Sequence, residues 1–391
     1  MAQKTMFPPD DATVDVATLS ATFRNTTTSY KFLFFFSLLD HIKAAHQDTG
    51  NPEGEIEIEW DSIAAHMLAH AWYPLCTFNL TFGSQDKTRI YIESIREYVD
   101  TKSLLGDPRK TSRLARRIKG LLEEKRDIEA RDLMRWVPYR WLAPFARLRP
   151  GMPDTKKNKA IKEFSCEAYR TGQVPYKILD TGLRIHPTWR SYFFRHLSVL
   201  YGWAAFHWVE YLQKRNPHAL GLSSKLFPED QRRRLADAKT YWETAFEGGL
   251  QRICFYTGDR LSRYALDHFI PWSFIAHDQV WNIVPCTPSV NSSKGDRIPP
   301  DHLLPKLADV QAAALSSISR SGKLGMRKWE KVVEPFIATL GVPRKDLVPH
   351  PIRQEELASV LRSTFTDKLK PLLETAHNQG FENWKDDRIT R

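Results

Sequence analysis

Long hydrophobic runs are missing from this 391-residue chain. No stretch reaches the roughly 18 apolar residues that span a bilayer: "FLFFFSLL" (32–39) is too short, and "HLSVLYGWAAFHWV" (196–209) carries two histidines. The opening "MAQKTMFPPDDATVD" has neither the basic start nor the apolar core of a secretory signal. These absences give the expectation of a soluble, cytoplasmic protein with no membrane partner. Cysteine is scarce as well. Cys76, Cys166, Cys254 and Cys286 are too few and too scattered for a disulfide framework, so free thiols are expected. Internal repeats and low-complexity tracts are also lacking, which leaves an ordinary globular chain.

What is present is apolar and basic. With 42% hydrophobic and 12% aromatic residues the chain can bury a substantial core. Single cores seldom grow past roughly 250 residues, so two or three cooperative units are expected. The net charge of +11 is concentrated: residues 102–163 hold 18 Lys/Arg against 8 Asp/Glu. Such a field attracts polyanions, and Arg113, Arg116, Arg117 and Lys119 are candidates for contact with a nucleic-acid backbone. Trp136, Tyr139, Trp141 and Phe145 lie among these charges and could stack on bases. The competing reading is a solvated helix face with its apolar side buried.

Periodicity predicts a mostly helical chain. "TTTSYKFLFFFSLLDHIKAAH" (26–46) reads as a buried helix and "EIEIEW" (55–60) as a short strand. A helix through His66 and His70 follows, then a turn at Trp72-Tyr73-Pro74, an extended "FNLTFG" and a helix to about Val99. Pro108 opens a basic amphipathic helix with Leu114, Ile118, Leu121 and Leu122 on one face. "RLRPGMPDTKKNK" (147–159) reads as an exposed loop. Helices fit 188–215 and 229–247, and three more follow residue 300. Trp60, Trp72, Trp189, Trp203, Trp208 and Trp242 read as core. His66 and His70 are four apart, but no Glu lies between them to serve as base, so packing is the expected role.

The texture changes after Gly249. "RICFY" and "YALDHFI" suit strands around a Thr257-Gly258-Asp259 turn, and "WNIVPC" is a further extended piece. Thr287 suits a helix cap, Pro288 a first helical position and Gly295 a stop. Asp267 offers a hard carboxylate oxygen, Asn291 an amide oxygen and His268 a base near neutral pH. Two oxygen ligands suit Mg²⁺ or Mn²⁺, which implies phosphodiester hydrolysis. Neighbours on a strand point to opposite faces, so Asp267 and His268 share a site only if the strand ends or bulges there.

These residues, "DHFIPWS…WNIVP…NSSKGD", resemble the HNH or ββα-metal nuclease motif in its His-Asn-Asn variant. The resemblance covers about 45 of the 391 residues. It is specific: an Asp-His pair, a Pro three residues on, both asparagines and the trailing Lys fall in order. It implies His268 as general base, Asn282 as the residue tying the loop together, and Asp267 and Asn291 as ligands of one divalent metal. Lys294 and Arg297 are expected to clamp substrate phosphates. Many relatives carry a structural zinc on paired Cys-x-x-Cys knuckles. Here those places read Cys254-Phe-Tyr-Thr257 and Cys286-Thr-Pro-Ser289, a poor zinc set, so no structural zinc is expected. "TTTSYKFLFFFSLLDHI" with "AWYPL…LTFGSQDK" also resembles stand-alone bacterial HNH-domain proteins, some near phage-defence genes.

The expectation is therefore an α+β protein, predominantly α-helical, with a small ββα-metal module inserted near residues 251–298. Residues 1–250 form a helical N-terminal region, 251–300 the module and 301–391 a helical C-terminal region. The expected function is a metal-dependent DNA endonuclease, DNA being preferred over RNA on family grounds. The alternatives are a nuclease subunit of a larger CRISPR-type or defence complex, and a non-catalytic nucleic-acid-binding protein with a decayed motif.

Overall fold

A computed structural model describes residues 6–49, 54–99, 109–124, 129–148, 151–227, 235–348, 351–386 and 388. They form two compact units. The first runs to residue 217 and includes 222–229; the second holds 218–221 and the chain from 230 onward.

The first unit contains α1 (Val16–Ser20), α2 (Tyr30–Thr49), β1 (Ile56–Glu59), α3 (Trp60–Cys76), α4 (Thr88–Arg96), α5 (Arg109–Glu124) and α6 (Val137–Ala146). It continues with α7 (Asp154–Tyr169), β2 (Tyr176–Ile178), β3 (Gly182–Ile185), α8 (Pro187–Arg195), α9 (Leu197–Gln213) and α10 (Leu222–Leu226). Helix α2 is its axis. Phe32 and Leu33 through Phe36 are buried, and α3, α6, α8 and α9 pack around them. Phe35 stacks on Trp141 at 5.5 Å and meets Trp203 edge-on at 5.7 Å. Trp141 and Phe145 are therefore core residues and not base-stacking platforms; both are buried. Trp136 is half-buried, with the Arg135 and Arg140 guanidinium groups over its ring. Five of the six expected core tryptophans are buried, whereas Trp60 is partly exposed and donates to the Asp180 carbonyl.

The strand at 56–59 forms as expected, but its partners were not foreseen. It pairs antiparallel with β3, which pairs with β2, in the order β1-β3-β2. Gly182 permits this sheet: a Cβ there would lie 2.1 Å from the Ile58 carbonyl oxygen. Helix α3 runs through Trp72-Tyr73-Pro74 to Cys76; Pro74 lies inside it and gives up one backbone donor, and the helix ends two residues later. "FNLTFG" forms no strand; Thr81 instead pairs through both backbone groups with the Asn216 side chain. The expected loop 147–159 is half helix, since α7 starts at Asp154, which Arg140 and Lys157 hold at 3.0 and 3.3 Å. The expected 188–215 helix breaks at His196 into α8 and α9, with neither Gly nor Pro to announce it.

The second unit contains α11 (Ala236–Glu247), β4 (Ala265–His268), α12 (Trp272–Ile275), β5 (Ile283–Cys286) and α13 (Pro288–Lys294). Then follow α14 (Leu304–Arg320), α15 (Met326–Ala338), α16 (Arg344–Leu347) and α17 (Gln354–Asn378). Residues 228–234, at the start of the expected 229–247 helix, lie outside the described residues. One core runs from Ala238 to Trp384 through both strands, so positions 250 and 300 mark no break in packing. Gln311 on α14 supports the strands from below. Its amide donates toward the Val280, Trp281 and Ile283 carbonyls at 3.0–3.3 Å, and its oxygen accepts from Tyr241. Buried carbonyls at the end of a short sheet need such partners. "RICFY" forms only one bridge, Ile253 with Arg260, rather than a strand. The whole is a mostly α-helical α+β protein.

Candidate functional site

The site begins with two antiparallel strands in which Asp267 faces Val284 and His268 faces Ile283. The loop between them would splay without further pairing. Asn282 supplies it: the Ile270 N–H donates to its Oδ1 at 2.8 Å, its Nδ2 donates to the Ile270 carbonyl at 2.9 Å, and Phe269 N–H donates to its carbonyl at 2.7 Å. A primary amide matches a peptide group in donors and acceptors, so the ladder continues past the strand ends. Asn282 is fully buried.

Asp267 is 4% exposed. A buried carboxylate is costly unless bonded and neutralised. The Tyr256 hydroxyl donates to its Oδ2 at 2.5 Å. Burial, reinforced by the adjacent carboxylate, pushes the Tyr256 phenol far above its usual range and keeps it a donor. The Lys294 ammonium lies 3.2 Å from Oδ1 and 3.1 Å from Oδ2, and also donates to the His268 carbonyl at 2.7 Å. This corrects the expectation for Lys294. Its side chain is wholly buried and saturates the interior of the site, so it offers no exposed charge to a substrate phosphate. A carboxylate has about four acceptor positions. Among the described residues three are taken, which leaves one on Oδ1.

His268 is the last residue of β4, so the strand does end where the sequence required. Its Nε2 lies 2.7 Å from Asp278 Oδ1, with both side chains about one-sixth exposed. A carboxylate accepts only, so in the neutral imidazole Nε2 carries the hydrogen and Nδ1 the lone pair. Asp278 carries no motif of its own in the sequence; its only signal there is a carboxylate within the motif loop. His277 is largely enclosed beside Trp281. Burial, with the neighbouring His268, pushes it down to about 4, and its Nδ1 accepts the Gln279 N–H.

Helix α13 starts and stops as its sequence dictates. Thr287 caps the Val290 N–H, Pro288 takes the first turn, and Gly295 ends it at φ +51°. The helix packs against β4. Asn291 and Lys294 are three apart and share a face; since Lys294 touches Asp267, that face is turned to β4. The Asn291 side chain is half-buried and has no hydrogen-bond partner among the described residues. An open carboxylate oxygen and an unbonded amide are hard donors of the kind Mg²⁺ or Mn²⁺ accepts, with water completing the shell. Among the described residues no group of three or more His, Cys, Asp and Glu side chains suits a metal.

Arg297 is exposed but engaged by Glu382 at 3.4 Å and by the Ser293 carbonyl at 2.7 Å. Cys254 and Cys286 are buried free thiols; Thr257 bonds Asp259, and Ser289 bonds Thr287. The tail after α17 straps across this region. Ile298 N–H donates to Glu382, Trp384 N–H donates to Ile298, and Ser293 donates to Asp386. The Trp384 ring meets Tyr256 edge-on at 4.8 Å. In the first unit, α5 buries Leu114, Ile118, Leu121 and Leu122 and leaves Arg113, Arg116 and Arg117 exposed. Lys119 is drawn into ion pairs with Glu59 at 2.8 Å and Glu123 at 3.5 Å, leaving its charge largely neutralised.

His66 and His70 do not converge on a ligand. His66 bonds the Ser62 carbonyl and His70 bonds Asp40. No described helix is long and apolar enough to cross a membrane. Compared with known proteins, residues 254–300 match the family model for HNH endonuclease. No curated protein and no solved structure matches the chain.

Proposed function

We propose that this chain, which carries an HNH endonuclease domain over residues 254–300, hydrolyses phosphodiester bonds in DNA with the help of Mg²⁺ or Mn²⁺. The observation that carries the reading is the pair His268–Asp278, held at 2.7 Å at the end of the strand that also presents Asp267. Asp278 fixes the tautomer of His268 and stabilises the imidazolium that forms when Nδ1 takes a proton from water. Asp267 Oδ1 and the Asn291 amide would hold the cation. When bound, such a cation neutralises charge on the phosphate and the departing oxygen. Lys294 orients Asp267, and Asn282 orients the loop that bears Asp278. Cleavage leaves 5′-phosphate and 3′-hydroxyl ends. Arg113, Arg116 and Arg117 supply sequence-independent affinity for the backbone, with Arg297 as a further phosphate contact.

The test is cleavage of supercoiled, linear and single-stranded DNA and of RNA by wild type and His268→Ala, with Mg²⁺, Mn²⁺ or EDTA. DNA cutting should require the metal and vanish in His268→Ala, while binding and melting temperature stay as in wild type. Retained cutting by the variant removes the role assigned to His268. No cutting by wild type on any substrate with either metal overturns the proposal.

A further inference from the structure

Within the first unit a cavity of about 900 Å³ opens between α2, α3, α5, α9 and α10. That is within the range of pockets that enclose a small organic ligand. Its walls are mainly apolar and aromatic, with Leu39, Tyr73, Tyr201, Ala205, Leu226 and Phe227 among them. One polar group stands out. Asp40 lines the cavity, and its Oδ2 accepts from His70 Nε2 at 2.7 Å, while Oδ1 has no hydrogen-bond partner among the described residues. Tyr201 approaches the other nitrogen of the same imidazole at 3.4 Å. Burial opposes ionisation of Asp40, but the bond to His70 and the imidazoles of His70, His66 and His41 together outweigh it and hold the carboxyl below its usual range. A charged acceptor thus lines a mainly apolar space.

Gly202 is the second observation. It lies inside α9, lines the cavity, and a Cβ built there meets nothing within 4 Å. Glycine weakens a helix interior. No close helix contact explains it, since nothing packs against it. A bare backbone surface beside an aromatic wall gives a flat ring room to lie down. The rim is of opposite character: Lys43, Thr111 and Ser112 line it, and Thr111 and Ser112 belong to the helix that carries the exposed Arg113, Arg116 and Arg117.

A flat donor-bearing ring with an anionic tail matches both ends. We infer that the cavity binds a nucleotide, its base over Gly202 with an N–H on Asp40 Oδ1 and its phosphate toward Lys43 and the start of α5. The nucleotide is either free or an unstacked residue of a bound strand. The inference does not rest on phosphodiester cleavage.

Calorimetric titration of the full chain with each of the four nucleoside 5′-monophosphates tests the free ligand. Duplex containing 2-aminopurine, in the His268→Ala background, tests the strand-borne base through its fluorescence rise on unstacking. Saturable binding in either arm is expected. Asp40→Asn should weaken it about tenfold to a hundredfold through loss of a charged acceptor. Gly202→Leu should abolish it, and Gly202→Ala should weaken it without lowering the melting temperature. No signal in either arm overturns the inference, and so does binding that Gly202→Leu and Asp40→Asn both leave unchanged.

Discussion

The Lys294 ammonium and the Asp267 carboxylate form an ion pair at 3.1 Å from which water is almost wholly excluded, the two side chains being 0% and 5% exposed. Breaking a buried pair from one side leaves an uncompensated charge, which costs about 3–5 kcal/mol. Lys294→Met should lower the stability of the second unit by that order and weaken metal-dependent activity. Removing both charges, as Lys294→Met with Asp267→Leu, should recover much of the stability and none of the activity. Denaturant midpoints and cleavage assays on the single and double variants check this; a fully additive double variant would show that the two side chains are energetically independent.

Asp278→Asn keeps the size of the residue that holds His268 Nε2 but removes its charge. Cleavage turnover should fall about 10²- to 10⁴-fold, the range for losing effective general-base chemistry. The Mg²⁺ concentration for half-activation and the KM for DNA should stay near wild type, because neither Asp267 nor the basic helix is touched. A change confined to KM would show that Asp278 serves substrate binding instead.

Trp384 closes the back of the site by covering Tyr256, the donor to Asp267. Trp384→Ala should cost about 3–5 kcal/mol, the usual range for emptying a buried tryptophan site. Trp384→Phe should restore part of it. Hydrogen exchange at Tyr256 and β4 should quicken in the alanine variant; unchanged protection there would separate the tail from the site.

Burial, with the His66 ring 4.2 Å away, pushes His41 from 6.5 down to about 4. Lys119 acts in the same direction, and the Ser37 carbonyl and Asp40 oppose it. Between those values the unfolded chain binds a proton that the folded chain refuses, so stability rises with pH across the window. The contribution is complete above 6.5, is lost as pH falls toward 4, and amounts to roughly 3 kcal/mol. Urea midpoints between pH 7.5 and 4.5 should show that slope in wild type and a shallower one in His41→Gln. Equal slopes would mean that His41 does not carry it.

Legibility followed sequence distance. The β4–loop–β5–α13 order could be read because its determinants are local: alternating apolar residues, a Thr-Pro helix start and a Gly stop. Asn282 was readable for the same reason, as its partners lie twelve residues back in the same loop. Asp278 sits in that loop too, but an exposed-looking carboxylate carries no sign that an imidazole will meet it. Lys294 reads as a surface charge in the sequence, since lysine is almost never fully buried, whereas the structure encloses it against Asp267. The β2–β3 hairpin and the break at His196 escaped because their signals are weak or missing locally.

The sequence by itself determined the motif's order, the caps and stop of α13, and the apolar faces of α2 and α5, all properties of neighbours within a turn or a strand. The tertiary structure alone decided that α13 turns Lys294 inward onto Asp267, that Trp384 seals Tyr256, and that Asp40 and Gly202 line one cavity. Those outcomes depend on which distant surfaces pack together, and periodicity within a segment carries no information about its partner.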